Sequence, residues 1–238
     1  AELPSLFVSQ EDDHYLPWLA KKYPLKLYQL FLKRIKTAEA KALDASDSYQ
    51  AMPYYGEVSL AGLAELPDFE KLANELLEAI FSRPSEARHP WRELFKSCVS
   101  RTSPLLTSLL TERLRQITAQ EDLYDLVRLL SFDRSIIIFR DPQLIEDILV
   151  KARTLGPAAF DEIQWKLVHS SQPTIRGYTN GELDSEFRYT LAEAEKAYAK
   201  YPEHPLLGPF YMKIIEIEKA DAARQKRIAE ESFADDWA

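Results

Sequence analysis

Proline stands ahead of an apolar helical pattern three times, at Pro67, Pro104 and Pro142. The interval is roughly 37 residues each time, the size of one helix–turn–helix unit in a repeat protein. No other feature constrains the fold as tightly, because a helix pair of that size cannot bury its apolar side without stacking on a neighbour. Superposing the first unit on the second brings Phe69 onto Leu106, Leu72 onto Leu109, Leu77 onto Leu114 and Ile80 onto Ile117. From second to third, Leu106 meets Leu144, Leu110 meets Ile148 and Ile117 meets Leu155. After the loss of one residue, Leu123, Leu126 and Leu130 fall on Phe160, Ile163 and Leu167. Proline suits the first helical position, since its fixed φ fits the helix and its missing N–H had no partner there. Ser103 and Asp141, each just before such a proline, are suited to cap the first-turn N–H groups.

The same periodicity predicts a short helix at 17–23 and a long one from Pro24 to residue 43, with Leu27, Leu30, Phe31, Ile35 and Ala38 as its apolar stripe. Its other face is basic, carrying Lys22, Lys26, Lys33, Arg34, Lys36 and Lys41. That face reads as a solvated surface or as a local site for an anionic partner. Residues 44–66 form the longest break, with a short helix at 59–66. Further helices are expected at 68–82, 90–100, 104–118, 121–132, 142–154 and 157–169, with Gly156 ending one and Pro157 starting the next. The segment 135–139 reads as a buried turn of helix. After His169 a polar, turn-rich insertion runs over 170–182, where Asn180-Gly181 is a strong turn signal. Helices from 184 to 200 and from the 202–205 turn to residue 231 complete a lengthened fourth unit and a cap.

The charge is −8, which argues against nonspecific binding to nucleic acid or to an anionic membrane by the molecule as a whole. No apolar run is long enough to span a bilayer, and no leader-like segment opens the chain. One cysteine, Cys98, excludes an internal disulfide and suits the reducing cytoplasm; its helical surroundings mark it as a small core residue. The sequence starts at Ala1 with no methionine, which reads either as processing or as a piece of a larger protein.

The sequence has no glycine-rich phosphate loop, no His-Glu-x-x-His, no cysteine pair and no Gly-x-Ser-x-Gly. Its four histidines are scattered, so no catalytic residue, metal site or cofactor is assigned. Asp12, Asp13 and His14 read as the acidic first turn of a helix rather than as ligands. One cluster could bind a carboxylate or phosphate: Trp165, His169, Arg176, Tyr178, Asn180 and Glu182. Trp165 and His169, four apart, share a helix face, and the following loop could fold over it and bring the paired donors of Arg176. The same residues could instead only pin the loop. In the acidic end segment, Phe233 and Trp237 read either as docking anchors or as a frayed end folded back.

The run from Ala194 to Pro205, with small residues, Tyr198 and a proline turn, resembles the helix junction of tetratricopeptide repeats, and the stretch from Pro67 to Tyr201 resembles HEAT-type pairs. The 34-residue tryptophan–glycine–tyrosine pattern is absent elsewhere. The resemblance implies binding of a protein or peptide on a curved surface. The expected fold is all-α, a right-handed stack of antiparallel helix pairs. An N-terminal helical segment with a long loop (1–66) would continue as one domain into the repeat array and its capping helix (67–238). The expected function is a non-enzymatic protein- or peptide-binding scaffold. Two alternatives stay open: a regulatory arm of a multidomain NTPase or effector, and a helical-repeat enzyme such as a DNA glycosylase, which the acidic charge disfavours.

Overall fold

The computed structural model describes residues 15–40, 58–99, 104–130, 136–170, 178–179, 182–183 and 185–235. The described chain is helical but for one two-residue ladder. It divides into two compact units, residues 1–109 and 110–238. The long break expected over 44–66 lies mostly outside the described residues.

The first unit holds α1 (Tyr15–Lys22), α2 (Pro24–Ala40), a 3-10 turn (Ala61–Glu65), α3 (Phe69–Phe81), a second 3-10 turn (Ser85–Ala87) and α4 (His89–Cys98). α3 pairs with α4, and α2 packs on α1, α4 and the first 3-10 turn. Phe31, Ile35, Leu60, Leu63, Leu76, Ile80, Leu94 and Phe95 are fully buried. The Leu60 N–H donates to the Ser97 carbonyl at 2.7 Å, which ties the start of this turn to α4. Cys98 is buried, as a core residue should be.

The structure corrects one of the three prolines. Pro67 does not open a helix: α3 begins at Phe69, and Asp68 at its N-cap makes no side-chain cap bond. The 3-10 turn runs straight on, with Leu66 N–H donating to Leu63 O and Phe69 N–H to Leu66 O, so the proline sits inside a run of tight turns. Pro104 does head its helix, α5 (Pro104–Gln116), within which the two units divide. Leu106, Leu109, Leu110 and Leu114 are its buried face. Ser103 lies outside the described residues.

The second unit continues with α6 (Gln120–Leu130), α7 (Ile136–Arg140), α8 (Pro142–Leu155), α9 (Pro157–Ser170), the strands β1 (Tyr178–Thr179) and β2 (Glu182–Leu183), α10 (Ser185–Lys200) and α11 (Leu207–Asp235). Asp141 caps α8, its Oδ1 accepting from the Leu144 N–H at 3.0 Å. Gly156, at φ 127°, ends it in a conformation other residues resist. The chain then turns directly into Pro157, and α9 packs back along α8. α6 contacts both α8 and α9, and so does α11, which also pairs with α10. α7, the buried turn expected at 135–139, packs on α8 and α10 and is held by Tyr211 of α11, whose hydroxyl donates to the Ile138 carbonyl at 2.9 Å. Ile145, Ile148, Leu149, Ile163, Leu167, Phe210, Tyr211 and Ile214 fill the core between these helices.

β1 and β2 pair antiparallel, Tyr178 with Leu183 and Thr179 with Glu182. Strands of two residues are too short to show alternation, and the turn expected at Asn180-Gly181 lies outside the described residues. The capping helix is longer than expected, ending at Asp235. Its last buried side chain among the described residues is Glu218; Lys219, Arg224, Lys226, Arg227 and Ile228 are exposed. No helix among the described residues is long and apolar enough to cross a membrane.

Candidate functional site

α9 buries Ala159, Ile163, Leu167 and Val168 on one side and turns Trp165 and His169 outward on the other. This is the register that a 3.6-residue period sets for positions four apart. Trp165 is 53% exposed, unusual for so large an apolar side chain. Its ring lies over the imidazole of His169 with centroids 3.9 Å apart and planes tilted by 53°. The pair joins a flat apolar face to groups that can donate and accept hydrogen bonds, which suits a partner's side chain or main chain.

The flanks of α9 are fixed by contacts to its neighbours. The Lys166 ammonium lies 4.0 Å from the ring centroid of Tyr124 on α6. Lys213 of α11 donates to Gln164 Oε1 at 3.2 Å, and Gln120 of α6 donates to Glu162 Oε2 at 2.9 Å. Arg153 of α8 stacks on Phe160 at 4.8 Å. These contacts hold the helix that carries Trp165 without using its ring.

Of the six residues grouped from the sequence, the structure brings Trp165 and His169 together. Tyr178 and Glu182 take their places in the backbone ladder, and β1 lies against α11. Arg176 and Asn180 lie outside the described residues, as does Trp237; Phe233 falls in the last turns of α11. Among the described residues no group of three or more histidine, cysteine or carboxylate side chains is placed to hold a metal ion.

A second exposed aromatic group escaped the sequence reading. At the junction of α1 and α2, Trp18 and Tyr23 meet edge to face at 6.3 Å, and both are exposed. The Lys22 ammonium lies 4.8 Å from the Trp18 ring and 5.3 Å from the Tyr23 ring, and Lys26 lies 5.5 Å from the latter. The basic residues were legible in the sequence. The exposure of Trp18 was not, since a tryptophan on a short helix normally marks the buried side.

The third polar centre ties the end of α2 to α4. Glu39 Oε1 accepts from Arg83 Nε at 2.5 Å and from the Trp91 indole N–H at 2.6 Å. Arg83 stacks on the Trp91 ring at 3.9 Å and also donates to the Ala79 carbonyl at 2.6 Å. Burial pushes the Glu39 carboxyl up, but the hydrogen bonds from Arg83 and Trp91 and the charges of Arg83 and Lys36 outweigh it and hold the group below its ordinary range. Each donor is consumed within the network, so this centre serves the fold.

The sequence matches no protein-family model, no curated protein and no solved structure.

Proposed function

We propose that this chain is a helical-repeat scaffold that binds a protein or peptide, with its antiparallel helix pairs stacked as a right-handed superhelix. Support for the stack comes from the α8–α9 pair, each of whose helices is met by α6 before it in the sequence and by α11 after it. The observation that carries the binding role is Trp165, exposed and lying on His169, on a helix pinned at both flanks. An exposed tryptophan on a rigid element is the kind of anchor that dominates protein interfaces. The single cysteine fits a place in the reducing cytoplasm.

The experiment is a photo-crosslinking residue at position 165, followed by titration of the captured partner, once purified, against wild type and Trp165→Ala. The expected loss is about 30-fold in affinity, the ~2 kcal/mol typical of a buried aromatic anchor. Equal affinity with the fold intact would remove Trp165 from the interface. Salt-sensitive DNA binding would move the protein to a different class.

A further inference from the structure

The charge of this chain is unevenly distributed. Residues 15–40 hold Lys21, Lys22, Lys26, Lys33, Arg34 and Lys36 against a single carboxylate, Glu39, although the whole chain carries −8. Glu39 is engaged by Arg83 and Trp91 and feels the charge of Lys36, at the far end of α2 from Lys21, Lys22 and Lys26. α2 buries Leu27, Tyr28, Phe31, Arg34 and Ile35. That leaves Lys26, Gln29, Lys33 and Lys36 exposed on its other side, spaced by three and four residues. Lys22, Trp18, Tyr23 and Leu25 stand at the head of this row, with the two aromatic rings and Leu25 each at least 40% exposed. The result is an apolar head followed by a line of cations about 15 Å long, at the helical rise of 1.5 Å per residue.

The other end of the chain has the opposite character. After Glu218, α11 runs on to Asp235, and its described side chains, which end at Ile228, are exposed or half-buried. Its last residues and those just beyond carry Glu230, Glu231, Asp235 and Asp236 together with Phe233 and Trp237. Carboxylates and two aromatics in one short segment match the lysines and the apolar head of the α1–α2 face in sign and in kind.

We propose that the α1–α2 face, centred on Trp18, Lys22, Tyr23 and Lys26, docks the acidic, aromatic end of α11 from a second copy of this chain. The contact is heterologous: each copy offers one face and one helix end, so association is head to tail and continues from copy to copy. The charges steer and register the two surfaces, while Phe233 and Trp237 against Trp18, Tyr23 and Leu25 supply the buried apolar area. Cations in single file along a helix suit a helix end. A bilayer would be met by a plane of charge around inserted side chains.

The test is sedimentation velocity of the full chain over a range of concentrations at low salt. Wild type is expected to form a ladder of oligomers that shrinks as salt is raised. Lys22→Glu with Lys26→Glu, and separately Glu230→Lys with Glu231→Lys, Asp235→Lys and Asp236→Lys, should each sediment as monomers. Mixed one to one, these two variants should give a dimer and nothing larger, because only one intact face and one intact helix end remain per pair. Phe233→Ala with Trp237→Ala should weaken wild-type association at least 10-fold. Circular dichroism melts check that each variant is folded, and a synthetic peptide of residues 228–238 added to wild type should dissolve the ladder if a variant is not. A wild-type monomer at every concentration, or oligomers unmoved by the charge reversals and the peptide, would overturn the proposal. So would a monomer that binds phosphatidylserine vesicles through Lys22 and Lys26. None of these outcomes bears on Trp165, so the scaffold reading stands or falls separately.

Discussion

The indole of Trp91 donates to the Glu39 carboxylate at 2.6 Å across 52 residues of sequence, and the same carboxylate takes the guanidinium of Arg83. Trp91→Phe removes the N–H together with part of a buried ring system, so it should cost about 2–4 kcal/mol in a urea titration. The acid side of the stability curve reports the same group. Because the folded carboxyl sits below its unfolded value, its contribution is complete above about pH 4.3 and disappears as pH falls through the folded value. The stability gap between wild type and Glu39→Gln should therefore narrow below pH 4. A constant gap down to pH 2 would mean the carboxyl is not held in its charged form by the fold.

Tyr211 closes a buried contact with α7 through the Ile138 carbonyl and stacks beside Phe139 with centroids 6.1 Å apart. Tyr211→Phe preserves the ring and strands a buried carbonyl. The expected loss is about 1–3 kcal/mol, together with faster hydrogen exchange of the amides in α7. If exchange in 136–140 is unchanged, the hydroxyl does not secure that helix.

His204 caps α11 through its side chain: Nδ1 accepts from the N–H groups of Leu206 and Leu207 at 3.3 and 3.2 Å. That role leaves the ring proton on Nε2, which faces Glu146 Oε1 at 3.5 Å. His204→Ala should cost about 1 kcal/mol, and His204→Asn, an ordinary capping side chain, should recover part of it. Nearby, a methyl group on Gly208 would come within 2.7 Å of the Pro202 carbonyl oxygen and 2.9 Å of that of Tyr201. Both are backbone atoms that cannot step aside. Gly208→Ala should destabilise by about 1–3 kcal/mol, read from thermal melts of the two proteins.

Tyr28 lies in the core of the first unit. Burial, with the charge of Glu75 adding to it, pushes its phenol up to about 12. A folded value above the unfolded one of about 10 means stability is intact below pH 10 and is lost as pH rises toward 12. Burial also pushes the Cys98 thiol well above its usual range, a shift of the same sign. Tyr28→Phe should flatten the alkaline decline in urea midpoint between pH 10 and 12, and an undiminished slope would place the titrating group elsewhere.

What could be read in the sequence was whatever depends on neighbours in the chain. The helices at Pro24, Pro104, Pro142 and Pro157, the Asp141 cap and the Gly156 stop follow from local sterics and hydrogen bonding, and each is present. Trp165 and His169 were legible as a pair because four residues is one turn of helix. Pro67 misled because the turns before it continue into α3, and a proline is equally at home inside a turn.

That this chain is helical, and where most of its helices begin, follows from periodicity and end signals that act over a few residues. That α11 reaches back to hold α7, that Glu39 meets Trp91 and that Trp18 faces water are outcomes of long-range packing. Those depend on which surfaces meet. Burial of apolar area is non-directional, so local patterns say that a face must be covered without saying by what.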